Sequence, residues 1–214
     1  MKSVGKIGNG IAKAAEGAFV SFNSVVTLVT LPVNTVRDNY KHNSQYQFTD
    51  YIYDQGKPSQ ASNLKMGYAT ADWNGCGWIA TYNVARLLDM ERHPADIIKY
   101  YETHGGMIAD GAFGVTPLAV ETYFNQSEFK KAGITTGYHY FPGEVDNLIK
   151  NSDFAIVNYV HGSGMHYIAV EYKDGTFYTM NDGQMTESSE DLPSLDALLK
   201  RRGNTVFTII TINK

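Results

Sequence analysis

One cysteine, two tryptophans and six prolines are spread over 214 residues, and no block of like charge or unbroken apolar run stands out. A single cysteine excludes an internal disulfide framework and leaves a lone thiol whose chemistry has to be asked about. With 22 acidic against 18 basic side chains and a formal charge of -4, nucleic acid is not expected as a main partner. No Rossmann or Walker glycine pattern and no His-Glu-x-x-His occurs, so neither a cofactor nor a metal is expected. Residues 17 to 36 are apolar but broken by Ser21, Asn23, Ser24 and Pro32. They match neither a secretory signal nor the roughly 20 apolar residues of a membrane span. A packed extension, a removable leader and a membrane attachment all stay open, as do a cytoplasmic and an exported location.

What is abundant is apolar and aromatic: 43% hydrophobic residues, fifteen tyrosines and ten phenylalanines. That is enough to bury the core of one domain, expected over residues 46 to 214, with residues 1 to 45 as an extension of open role. The domain is organised around residues 72 to 89, where Ile79, Ala80, Asn83, Val84, Leu87 and Leu88 recur at helical spacing. Gly75 and Gly77 bracket Cys76 where that helix starts, so free backbone N–H groups point toward the sulfur and favour thiolate. Trp73 and Trp78 are expected as apolar walls beside it. Further helices are predicted after Pro94, after the Thr116-Pro117 cap, over 142 to 150 and over 194 to 201.

From Asp153 the period changes. Phe154 to Val160, His166 to Tyr172, Thr176 to Met180 and Val206 to Ile212 read as strands, the last able to sit inside a sheet. A mainly helical first half and a mainly antiparallel second half make an α+β fold with a groove between the halves.

A thiol nucleophile needs a base, and the base needs an acceptor to fix its tautomer. His42, His93 and His104 lie in polar or turn surroundings, and His139 lies among aromatics. His161 ends a strand beside Gly162 and could line a cleft, but no hairpin supplies it with an acceptor. His166 begins a strand whose returning partner ends at Asn181 and Asp182, which makes it the candidate base. Asn181 and Asp182 face opposite ways, so hairpin register chooses between them. A two-residue Asp174-Gly175 turn puts Asn181 on the face of His166. A three-residue loop with Gly175 left-handed faces His166 with Asp182 and gathers the bulkier side chains on one side, and is preferred.

Asn74-Gly-Cys-Gly77 opening a helix, Met165-His-Tyr-Ile-Ala-Val170, Phe177-Tyr-Thr-Met-Asn-Asp-Gly183 and the glycine-rich Gly111-Ala-Phe-Gly-Val-Thr-Pro117 together resemble papain-like cysteine peptidases. The likeness is greatest to the C39-like branch of bacteriocin-processing peptidases, and it runs over roughly residues 68 to 185. The resemblance implies a papain-like fold, with a helical lobe carrying nucleophile Cys76 and an antiparallel sheet lobe carrying base His166. Asp182 is implied as orienter, with Asn181 the alternative. Gly183 stands where the family often has proline, and Thr70 stands where it usually has the oxyanion-binding glutamine, a role for which Asn74 is the candidate replacement. The expected activity is hydrolysis of a peptide or other amide bond in a peptide or protein substrate. A catalytically inactive peptide-binding module and a transglutaminase-like acyl transferase are the alternatives.

Overall fold

The computed structural model describes residues 10, 13–19, 21, 22, 26, 30–56, 58–162, 164–182 and 194–214. In chain order, helix α1 (Val33–Asn43) precedes a small hairpin of β1 (Lys65–Met66) and β2 (Ala69–Thr70). The short α2 (Ala71–Asn74) leads directly into α3 (Cys76–Leu87), followed by α4 (Pro94–Thr103), α5 (Pro117–Phe124) and α6 (Ser127–Lys131). Then come β3 (Thr135–Tyr140), α7 (Val145–Lys150), β4 (Phe154–His161), β5 (Gly164–Lys173), β6 (Thr176–Met180), α8 (Leu195–Arg201) and β7 (Thr205–Asn213). Strands β3 to β7 form one antiparallel sheet in the order β3-β7-β4-β5-β6, so the mixed α+β class is observed and the last strand is interior.

Successive side chains of a strand leave on opposite faces, and here both faces are covered. Ile156, Tyr167, Ala169, Ile210 and Ile212 pack with the α3, α4 and α5 side chains Ile79, Val84, Ile97, Ile98 and Val120. Their neighbours Val157, Ile168, Val170, Phe177 and Ile209 pack on the other face against Ile149 of α7 and Leu195, Leu198 and Leu199 of α8. Double coverage is why β4 and β7 read as nearly continuous apolar runs rather than alternating ones. The helix starts follow local chemistry: the Thr116 hydroxyl accepts from the Ala119 N–H, with Pro117 in the first turn, and the Ser194 hydroxyl accepts from the Ala197 N–H. Helix α7 starts at Val145, three residues later than Pro142.

The β5–β6 hairpin corrects the preferred register. Lys173 pairs with Thr176 and Ala169 with Met180, leaving the two-residue turn Asp174-Gly175 with φ of 52° and 84°. Left-handed backbone at both central residues makes a type I′ turn, whose twist matches the strands it joins, and glycine takes the second position without strain. The gathering of bulky side chains did not decide the register, because the sheet buries both of its faces. The ladder ends at Ala169 and Met180, so the preferred pairing of His166 with Asp182 is not formed, and neither Asn181 nor Asp182 is its partner across the strands.

The hairpin β1–β2 is tied to α1 and α4 by one buried carboxylate. Glu102 Oε1 accepts from Asn39 Nδ2 at 2.7 Å and from the Gly67 N–H at 2.8 Å, and Oε2 has no partner among the described residues. Burial outweighs those two bonds and pushes the Glu102 carboxyl from 4.5 to about 7. A folded-state value above the unfolded one gives stability that is complete below about pH 4.5 and lost as pH rises through about 7. The unfolding free energy of the wild-type chain, relative to Glu102→Gln, is therefore expected to fall by about 3 kcal/mol between pH 4.5 and 8 in urea titrations. Parallel pH profiles for the two proteins would disprove the assignment.

Candidate functional site

Cys76 is the first residue of α3, and its sulfur lies where three elements meet. Gly77 sits so close to Val115 that an added Cβ would come 2.2 Å from Val115 Cγ2, and the Tyr167 hydroxyl donates to the Val115 carbonyl at 2.9 Å. The glycine-rich loop before α5, the first turn of α3 and strand β5 are thus held together around the thiol. The β5–β6 ladder ends at Ala169 and Met180, and the Tyr167 N–H, beyond that end, is directed at the Cys76 sulfur. The N–H groups of Gly77 and of Cys76 itself join it.

These donors do not prevail. Cys76 is 7% exposed, and burial pushes its thiol up to about 11 against the three N–H groups that lower it. The N-terminal donors expected from the sequence are present, and the thiolate they were expected to favour is not the resting form. Among the described residues no hydrogen bond joins Cys76 to either His161 or His166.

His166 is the better placed of the two imidazoles. Its Nε2 lies 2.5 Å from the main-chain carbonyl of Asn181, and because a carbonyl only accepts, Nε2 carries the proton and Nδ1 is the acceptor in the neutral ring. Burial lowers the His166 pKa, while the Asn181 bond and then the Asp182 charge raise it and His161 lowers it. Its ring centroid is 5.6 Å from that of Tyr159 and 6.0 Å from that of His161.

Neither expected orienter meets His166 through its side chain. The Asp182 carboxylate, 4% exposed, pairs with Arg202 Nη1 at 3.1 Å and accepts from the Tyr159 hydroxyl at 3.3 Å. The Asn181 side chain turns to Gln55: its Oδ1 accepts from the Gln55 N–H and its Nδ2 donates to Gln55 Oε1, both at 3.0 Å. Asn74 is likewise committed, donating from Nδ2 to the carbonyls of Met66 at 3.0 Å and Gly111 at 2.7 Å, so it has no amide hydrogen left for an oxyanion. Thr70 bonds to Asp72. Of the two expected walls, Trp78 is wholly buried in the core, and Trp73 is exposed with its Nε1 on the Ala112 carbonyl.

The remaining histidines have local roles. His93 accepts the Ala95 N–H at the start of α4 and bonds to the Tyr46 carbonyl, His42 reaches the Asn63 carbonyl, His104 stacks on Tyr100, and His139 meets the Thr211 hydroxyl. A cavity of about 380 Å³ opens beside His166, lined also by Asp54, Gln55, Tyr159, Asp182 and Arg202; Cys76 is not among its lining residues. A second cavity of about 300 Å³, with Phe48, Tyr51 and Tyr53 in its walls, shares Asp54 with the first. Gln55, Tyr159 and Arg202 are not marked in the sequence, where Gln55 and Arg202 belong to no motif and Tyr159 reads as one more residue of an apolar strand.

Leu31 and Val36 of the N-terminal extension join the core around α3, and its earlier residues make polar contacts on a different region. Lys13 pairs with Glu121 at 2.6 Å, and the Glu16 carboxylate accepts from the Leu118 N–H at 2.9 Å and from the Tyr138 hydroxyl. None of these residues lines the cavity at His166. Among the described residues no helix is long and apolar enough to cross a membrane, and no group of three or more His, Cys, Asp or Glu side chains is arranged to hold a metal ion. The Gly183 expected beside the orienter lies outside the described residues.

No family model matches the chain, and no curated protein matches it in sequence.

A thiol pKa of about 11 has a direct kinetic consequence. At pH 8 the folded protein is expected to react with iodoacetamide about two hundred times more slowly than a free thiol of pKa about 8.5. The rate should keep rising to pH 10 and beyond, and labelling as fast as N-acetylcysteine at pH 8 would refute the buried neutral thiol.

Proposed function

We propose that the protein is a thiol hydrolase of papain-like, two-lobed architecture that cleaves a peptide or other amide bond through an acyl-enzyme on Cys76. The observation that carries this reading is adjacency on β5: the N–H of Tyr167 is directed at the Cys76 sulfur, and the preceding residue is His166, its Nε2 fixed on Asn181 and its Nδ1 left as an acceptor. In the proposed reaction the sulfur reaches that nitrogen, the thiol proton passes to it, and the thiolate attacks the carbonyl carbon of the scissile bond. The Cys76 N–H donates to the oxyanion of the tetrahedral intermediate. His166 then protonates the departing amine. Water, giving its proton to the same imidazole, releases the acid and restores the thiol. The Asp182 carboxylate, paired with Arg202, lies near enough to favour the imidazolium without bonding to it in the resting arrangement.

A second reading is favoured by the buried neutral sulfur and by the absence of a Cys76–His166 hydrogen bond among the described residues: a non-catalytic peptide-binding module on the same scaffold. Its groove is the pair of cavities that share Asp54, one with aromatic walls.

Incubation of the full chain with a broad peptide mixture, followed by mass spectrometry of the products and of Cys76, separates the two. A hydrolase is expected to generate new termini and a transient acyl adduct on Cys76. Cys76→Ala should abolish both, and His166→Ala should slow them at least about a hundredfold. Peptides retained by wild type and Cys76→Ala alike, and returned intact, would replace the hydrolase with the binding module.

A further inference from the structure

Gln55 belongs to a connection without regular structure, 21 residues before Cys76, yet it joins the two halves of the candidate site. Its main-chain N–H donates to Asn181 Oδ1 and its side-chain Oε1 accepts from Asn181 Nδ2, a two-point grip with both bonds at 3.0 Å. Its Nε2 reaches the carbonyl of Asp72 in α2 at 3.5 Å. Asn181 sits just past the end of β6, is 1% exposed, and has a left-handed backbone with φ of 66°. That backbone carries the carbonyl on which His166 Nε2 rests.

An asparagine with no ladder partner has no regular structure to hold it in a left-handed conformation, so something else has to fix the direction of its carbonyl. The only polar partners that the Asn181 side chain has among the described residues are the two groups of Gln55. We propose that Gln55 is the positioning residue for the base: by gripping the Asn181 side chain it aims the Asn181 carbonyl at His166, which keeps the proton on Nε2 and the lone pair on Nδ1. The inference rests on the reading of His166 as base. It adds that the base is oriented from outside its own lobe, through a main-chain carbonyl. Gln55 and His166 line the same cavity, so the grip sits where a substrate would lie.

The hydrogen-exchange rate of the His166 Nε2 proton, measured by NMR on the full chain without substrate, tests this independently of any thiol chemistry. Gln55→Glu keeps an oxygen for Asn181 Nδ2, whereas Gln55→Leu, of similar size, removes it. Gln55→Met, unbranched and of nearly the same length, removes it as well. Wild type and Gln55→Glu are expected to exchange slowly. Gln55→Leu and Gln55→Met are expected to exchange roughly five- to tenfold faster, the weight of one net hydrogen bond. Should Gln55→Leu not fold, Gln55→Met decides alone. Wild-type protection in the variants that lack the grip, or equal loss in Gln55→Glu and Gln55→Leu, would overturn the proposal. A chain that cleaves no peptide but follows the expected exchange order would fail as a hydrolase and keep this positioning, and the reverse result would separate them the other way.

Discussion

A five-stranded antiparallel sheet that is apolar on both faces has to be covered twice, and the rest of the chain is arranged by that requirement. Each fully buried Ile, Val, Leu or Phe contributes about 1.5–3 kcal/mol relative to exposure, so an uncovered face would forfeit much of a domain's net stability. Helices α3, α4 and α5 cover one face, and α7 and α8 cover the other. Because α3 lies against β5, its first turn comes to the place where the β5–β6 ladder stops. The site is therefore a by-product of a packing boundary: Cys76 meets the one stretch of β5 whose edge is not taken up by β6.

Two opposing electrostatic effects meet at that boundary. Three backbone N–H groups turn toward the sulfur, as a helix start and an open strand edge provide, and each favours the thiolate. Removal from water opposes them and prevails, because a charge on sulfur loses the solvation of a whole shell while gaining a few partial charges. Asp182, as buried as the thiol, instead meets a full positive charge on Arg202 at 3.1 Å. Full charges and partial charges are distributed so that the carboxylate is compensated and the cysteine stays neutral at rest.

Polar side chains near the site are largely committed to holding backbone. Asn83 binds both the N–H and the carbonyl of Ile52, Asn43 does the same for Lys65, and Asn74 clamps Met66 and Gly111. These asparagines let irregular segments be buried without unsatisfied peptide groups. The stretch 47–55, which carries Gln55 to Asn181, is fastened to α3 in this way by Asn83, by the Tyr82 hydroxyl on the Asp50 carbonyl and by Arg86 on the Thr49 carbonyl. Asn83, which in sequence only continues the helical spacing, acts in the structure as the anchor of a distant loop.

What the sequence by itself determined was local. Helical spacing after Cys76, the Thr116-Pro117 start, the apolar runs of β4 and β7 and the Asp-Gly turn each carry their physics within a few residues, so the α+β class, the helix carrying Cys76 and the strand carrying His166 were legible. Even the hairpin register was present in Asp174-Gly175, a type I′ pair, and side-chain bulk points the other way only for a sheet with one exposed face. Tertiary structure alone decided who partners whom. Asp182 goes to Arg202, Asn181 gives its carbonyl to His166 and its side chain to Gln55, Trp78 enters the core, and Cys76 loses its water. Each of these outcomes depends on groups far apart in sequence arriving at one point, and on a balance between desolvation and hydrogen bonding that exists only once the chain has excluded solvent.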